Sequence, residues 1–418
     1  MLPFGLKSYL SRVRSFTPNA RKFLVFQFFI ALNTGIYGVI FNLYVMRLGY
    51  HEDFLGLLLG VVYLSTGLGA LPAALLCDRI GRRKTLMLSS GVLAFALVLL
   101  YTVTAGWTLI VGSALFGIAT AFSTVASSPF MAENSSHDER MMLFSMNSAV
   151  NMASAVMGSL IGGLGPGALA SLAGADPAGV LPYRLTLYLS LAAVLLTLVP
   201  LLLIRENRPP TLDRLERLRL FDRVARNPNV RRLVLVNVLI GIGAGMIVPF
   251  FNVYFHKVLL ASTDQIGVIF SIGQIVMVAG LLAVPLMAER LGKVRTIALT
   301  QLLSIPFLIM IAITMNIYVA AFAYVMRMML MNMANPAISS FNMEIVAARE
   351  RATVSSLTTM GWYIFLAMST YFSGLMMSEA NYLLPYMITC VVYFLAAVAY
   401  YVFFLRVERA AAGTYAAA

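Results

Sequence analysis

Two groups of residues have the types and spacing to do chemistry. The first is a lone arginine. Arg327 stands in the apolar run Ala323-Tyr324-Val325-Met326-Arg327-Met328-Met329-Leu330. An arginine at the centre of a bilayer costs roughly 2.5–3.5 kcal/mol on insertion scales, so it must face a cavity or a polar partner. A guanidinium so placed can bind an anionic or carbonyl-bearing ligand through its planar fork. Its structural alternative is an ion satisfied by Asn332, Asn335 or neighbouring carbonyls. The second group is the turn Asp78-Arg79-Ile80-Gly81-Arg82-Arg83-Lys84. A second copy, Glu289-Arg290-Leu291-Gly292-Lys293-Val294-Arg295, follows 211 residues later (289 minus 78). In each, an acid is followed at once by arginine, and glycine permits a tight turn.

Asn33, Tyr37, Asn147, Asn151, Gln274, Asn332, Trp362 and Tyr363 also fall near the expected mid-depth of apolar runs. Singly, each amide or ring reads first as helix–helix glue. Together they supply donors, acceptors and aromatic walls for a substrate cavity. Phe41, Asn42, Phe251 and Asn252 lie nearer the outside and are expected to line an outer gate. Met326, Met328, Met329, Met331 and Met333 suit either an adaptable binding wall or gap-filling in the core.

The elements that position these residues are membrane helices. The chain has 418 residues, 60% hydrophobic and 11% charged, against roughly 25% charged in soluble domains. Apolar runs of about 20 residues recur throughout, as membrane-spanning helices require. Twelve are expected, near 23–46, 54–77, 85–104, 107–131, 143–165, 184–204, 231–255, 265–288, 296–314, 316–341, 353–377 and 381–405. The fold class is an all-α membrane protein of two pseudo-symmetric six-helix bundles. Segment 1–21 is expected to be an amphipathic cytoplasmic stretch, 22–205 the first bundle, 206–230 a cytoplasmic linker, 231–405 the second bundle and 406–418 a tail.

The net charge of +13 is topological. Of the 30 Lys and Arg, 26 fall at helix ends and loops on one side; Arg47, Arg184 and Lys257 fall on the other, and Arg327 within a span. Positive loops stay inside, so both termini are expected in the cytoplasm and the chain in the cytoplasmic membrane. This placement argues against nucleic acid as a partner and allows contact with anionic lipid. No cleavable signal peptide is expected.

Further pairs mark a duplication. Phe41-Asn42-Leu43-Tyr44 matches Phe251-Asn252-Val253-Tyr254 at a spacing of 210 (251 minus 41). Asp53 and Gly56 match Asp264 and Gly267, and Glu133 and Arg140 match Glu344 and Arg351, all at 211 (264 minus 53, 344 minus 133).

The loop Asp78-Arg79-x-Gly81-Arg82-Arg83, with its echo at Glu289, resembles the signature loop of the major facilitator superfamily. The spacing of Glu133 to Arg140 and Glu344 to Arg351 is similar to that family's cytoplasmic charge network. The resemblance covers about residues 22–405. It implies twelve spans, a central cavity and alternating access. It also implies a cytoplasmic latch made of Asp78, Arg79, Gly81, Arg82, Arg83, Glu133, Arg140, Glu289, Arg290, Gly292, Glu344 and Arg351. The chain departs from the family pattern at Ala74, which takes the place of a glycine, and at Ser113, which stands where proton antiporters carry an arginine. Gly165-Pro166 is a shifted counterpart of the antiporter Gly-Pro, and Arg205-Glu206-Asn207 lacks the sugar-porter signature.

Other chemistries find no support. His51, His137 and His256 are scattered, Cys77 and Cys390 stand alone, and no P-loop is present. No enzyme activity, cofactor or metal is expected. The expected function is a monomeric secondary transporter for small organic molecules, with efflux of apolar or amphipathic compounds as the first reading. Alternatives are an anionic metabolite or lipid bound by Arg327, uncoupled facilitation, or a receptor on a transporter scaffold. Asp53, Asp78, Glu133, Asp264, Glu289, Glu344 and Glu379 lie at span ends. A proton or other coupling ion would therefore act through an end carboxylate.

Overall fold

A computed structural model describes residues 16–135, 137–205, 224, 226–346 and 350–416. Most of the expected segment 1–21 and most of the linker 206–230 lie outside these residues, as does the side chain of Glu344. The first bundle comprises α1 (Pro18–Arg47), α2 (Glu52–Ile80), α3 (Arg82–Thr102), α4 (Gly106–Glu133), α5 (His137–Ala173) and α6 (Val180–Leu203). The second comprises α7 (Pro228–Lys257), α8 (Thr263–Leu291), α9 (Lys293–Ile313), α10 (Ile317–Met333, continued by Asn335–Glu344), α11 (Arg351–Ser378) and α12 (Leu383–Ala416). The last helix thus runs past residue 405, where a tail was expected to begin.

Helices are the answer to an apolar chain in lipid, because each satisfies its own backbone polar groups. Among the described residues, eleven helices are long and apolar enough to cross a membrane. The twelfth, α11, has 28 residues and carries many hydroxyls. Several of these face carbonyls of α7. Thr370 Oγ1 donates to the Gly245 carbonyl at 3.1 Å and Ser373 Oγ to the Met246 carbonyl at 2.5 Å. Pro249 lacks an N–H, and α7 tightens into a 3-10 turn at Val248–Phe250, so carbonyls near this break need outside donors. Outward-facing Leu282, Leu286, Leu202, Phe322 and Val402 stay exposed, as a lipid-facing surface requires.

The duplication is visible in hydrogen bonds. Tyr44 Oη donates to the Tyr101 carbonyl at 3.1 Å, and Tyr254 Oη to the Ile311 carbonyl at 2.9 Å. The repeated Phe-Asn-x-Tyr therefore ties α1 to α3 and α7 to α9. Gly81 and Gly292 both hold positive φ, 92° and 85°. This is a conformation in which a side chain is strained, which explains why both turns use glycine.

The two halves meet along two seams, α2 with α11 and α5 with α8. Each seam has a glycine-to-glycine crossing. A Cβ on Gly56 would lie 2.9 Å from the Gly374 Cα, and one on Gly163 would lie 2.8 Å from the Gly267 Cα. The two crossings are images of one another at the 211 spacing (267 minus 56, 374 minus 163). Small residues let helix backbones touch where lipid gives no hydrophobic drive to association.

Candidate functional site

Between the halves lies a cavity of about 560 Å³, within the range of roughly 300–1,000 Å³ that holds small organic ligands. Call the end of the bundle bearing Asp78–Lys84 the basic end, and the opposite end the far end. The far end of the cavity is roofed by Asn42, Pro249, Phe251 and Asn252. Asn42 Nδ2 donates to the Pro249 carbonyl at 2.6 Å and to Asn252 Oδ1 at 2.9 Å. Asn252 Nδ2 donates to the Val39 carbonyl at 2.9 Å and to the Gly38 carbonyl at 3.2 Å.

Arg327 lines the wall formed by the C-terminal half and is only 4% exposed. Its Nη2 donates to Tyr393 Oη on α12 at 2.9 Å. The guanidinium carbon lies 5.3 Å from the Phe251 ring centre and 5.7 Å from that of Tyr393. Cation–π attraction therefore offsets part of the desolvation. Its Nε has no partner, and no carboxylate lies within ion-pair distance among the described residues. The sequence-level alternative, bonding to Asn332 or Asn335, is not what the guanidinium does. Asn332 instead donates to its own helix at the Met328 carbonyl, 2.8 Å away.

The N-terminal wall is aromatic. Tyr37 stacks on Phe41 with centroids 4.3 Å apart and on Phe116 at 4.8 Å. Phe116 is the repeat counterpart of Arg327 (327 minus 211), so one cavity has an apolar wall facing a cationic one. On the C-terminal side Tyr324 stacks on Phe270 at 5.1 Å and meets Phe251 edge-on at 4.9 Å. Asn33 Oδ1 and Tyr37 Oη are buried without protein partners, and both residues line the cavity.

Asn33, Tyr37, Arg327 and Asn332 therefore come together, and the expected gate residues Asn42, Phe251 and Asn252 join them. Phe41 lies behind Tyr37. Asn147, Asn151, Gln274, Trp362 and Tyr363 are not among the lining residues. Asn151 Nδ2 bonds the Asn147 carbonyl at 2.9 Å, and Tyr363 flanks the lining residue Tyr63 at 6.4 Å. Tyr63, Tyr324, Phe270 and Tyr393 escaped the sequence reading, because aromatic residues are common along every span and nothing in their spacing singles them out.

At the basic end, Arg82 Nη1 pairs with Asp78 at 3.0 Å and its Nη2 with Glu133 at 3.2 Å. These contacts join α2, α3 and α4 of one half. Arg83 donates to the Leu201 and Leu202 carbonyls, each at 2.9 Å, at the end of α6. Arg140 donates to the Ala132 carbonyl at 3.0 Å. Arg79, Glu289, Arg290 and Arg351 are exposed. The second-half turn is held differently. Glu408 Oε1 accepts the backbone N–H of Lys293 at 2.6 Å, capping the first turn of α9. Glu408 lies on the part of α12 beyond residue 405, where the sequence predicts a tail, and nothing in the sequence points to this cap.

The model of the Major Facilitator Superfamily matches residues 23–370 and 233–417. No curated protein matches the sequence. Among solved structures, a bacterial homolog of the human lysosomal transporter Spinster, inward-facing and occupied, superposes with a TM-score of 0.75 at 17% identity. The match covers 96% of this chain and 98% of that one. The unoccupied form gives 0.71 at 19%, covering 97% and 96%. A mutant of the nucleoside transporter NupG gives 0.70 at 16%, covering 92% and 100%. At such identities the likeness concerns the fold. A doubled six-helix bundle around one central cavity, matched by the family model along nearly its whole length, makes this chain a member of the Major Facilitator Superfamily.

Proposed function

We propose that this transporter carries small amphipathic organic anions across the cytoplasmic membrane by alternating access, with its basic end in the cytoplasm. One observation carries the reading: the Arg327 guanidinium, buried and without a carboxylate partner among the described residues, at the wall of an aromatic cavity. A buried cation without a counter-ion is costly. A ligand carboxylate or phosphate would supply that counter-ion, while its apolar body would lie against Tyr37 and Phe116. Asp78, Arg82 and Glu133 would act as the latch at the cytoplasmic end.

The test uses purified protein in liposomes and pairs of compounds that share one apolar body, one member anionic and the other its amide. Charge-assisted hydrogen bonds contribute about 1.5–3 kcal/mol. Arg327→Gln should therefore weaken the anionic member roughly 10- to 100-fold and leave the amide unchanged. Equal loss for both members would remove the anion from the reading. A second reading, efflux of uncharged apolar compounds, is favoured by the aromatic lining beside Met328. It would stand if amides were transported and Arg327→Gln had no effect on any member.

A further inference from the structure

Among the described residues the protein buries two charged side chains, Arg327 and Glu52. Arg327 faces the cavity. Glu52, 2% exposed, lies in the first turn of α2 at the far end. The helix dipole favours an anion there. Its Oε1 accepts from Lys257 Nζ at 2.7 Å and from Tyr382 Oη at 2.5 Å. Burial, with Glu52 beside it, raises the Tyr382 hydroxyl above the ordinary tyrosine range, so it remains a donor. The acid belongs to the first half and both donors to the second.

Gly374 makes the approach possible. A Cβ there would meet the Glu52 carbonyl at 2.5 Å, so only glycine lets α11 rest on the first turn of α2. Among the described residues the other seam shows no equivalent. Thr263 holds the place of Glu52 (263 minus 211), and Arg47 that of Lys257 (257 minus 210). Arg47 donates to the Ala178 carbonyl and lies 4.4 Å over the Tyr183 ring, within its own half. Among the described residues, one seam is therefore closed by glycine packing with no ion pair across it, and the pair on the other seam is an addition.

We propose that Glu52, Lys257 and Tyr382 form a state-dependent clasp that holds the far ends of the two halves together and parts when the cavity opens on that side. It goes beyond the substrate reading and needs only that the halves rock. The physical sign is specific. Removing Lys257 strands a buried carboxylate, which favours the state in which Glu52 meets water. Removing the charge of Glu52 strands less, because the Lys257 side chain is already 38% exposed.

The test is spin-label distance measurement on the full chain in lipid discs, without substrate. Labels go on cysteines introduced at Thr104 and Met315, exposed on far-end loops of the two halves. The native Cys77 and Cys390 are buried. Lys257→Met should raise the long-distance, far-open population by about fivefold or more. Glu52→Gln and Tyr382→Phe should raise it less, and Lys257→Arg, which keeps the cation, should retain the short distance. The milder Tyr382→Phe keeps the ion pair and serves should a charge variant misfold. Unchanged distances in Lys257→Met and Tyr382→Phe, or a Lys257→Arg variant as open as Lys257→Met, would overturn the proposal. Neither result touches the role given to Arg327.

Discussion

Asn42 and Asn252 each donate a side-chain amide to the backbone of the other's helix, Asn42 to Pro249 and Asn252 to Val39. Val39 and Pro249 stand at the same 210 spacing as the asparagines themselves (249 minus 39, 252 minus 42). One two-fold operation thus generates both bonds, and the amide-to-amide contact at 2.9 Å lies near its axis. Both side chains are more than nine-tenths buried. The Asn42 bond satisfies the Pro249 carbonyl, because the Val253 N–H that a helix would direct to it goes instead to Asn252 Oδ1.

Replacing either asparagine by alanine should therefore cost about 1–3 kcal/mol, since buried polar atoms lose their partners. The two losses should not add. A double-mutant cycle on thermal unfolding in detergent should give a coupling of about 0.5–3 kcal/mol. Additive losses would mean that the two amides act separately.

The glycine crossings predict a steric effect with a built-in control. Gly374→Ala would place a Cβ 2.8 Å from the Gly56 Cα. Overpacking of this kind costs about 1–3 kcal/mol, and it falls on the state in which the far end is closed. Accessibility of a far-end cysteine to a water-soluble reagent should rise. Gly91→Ala, with nothing within 4 Å of the added atom, should leave it unchanged.

Glu408 caps α9 from the last helix through the N–H groups of Lys293 and Val294. Glu408→Ala should lower stability by about 0.5–2 kcal/mol, read as a lower unfolding midpoint. Glu408→Gln should recover part of the loss, because its amide oxygen can still accept. Identical midpoints for Ala and wild type would show that water replaces the cap.

Tyr393 is the hydrogen-bond partner of Arg327 and lies outside the lining residues. Tyr393→Phe keeps the ring against the guanidinium and removes the oxygen. Its loss of about 0.5–1.5 kcal/mol should appear as a roughly 2- to 10-fold weaker Kd for the anionic member of a compound pair. Titration calorimetry measures this directly, and the amide member should be unaffected.

Much of this protein was legible in order and spacing. Hydropathy marks the spans because lipid forces helices, and the 210–211 spacings expose the duplication. The turn glycines Gly81 and Gly292 were readable because positive φ restricts the residue type. Arg327 was readable because its cost in lipid demands a reason. What the sequence could not determine was which side chains meet across helices. Tyr393 reaches Arg327 from 66 residues away, and Tyr382 reaches Glu52 from 330 residues away. Glu52 sits one residue before the repeat-matched Asp53, so spacing pointed to the wrong acid. Trp362 and Tyr363 share the mid-depth of the cavity residues and are not among its lining, because depth along a helix is written in the sequence and rotation about its axis is fixed only by packing against neighbours. That rotation, set by glycine contacts at the two seams, decides which groups face the cavity and which face one another.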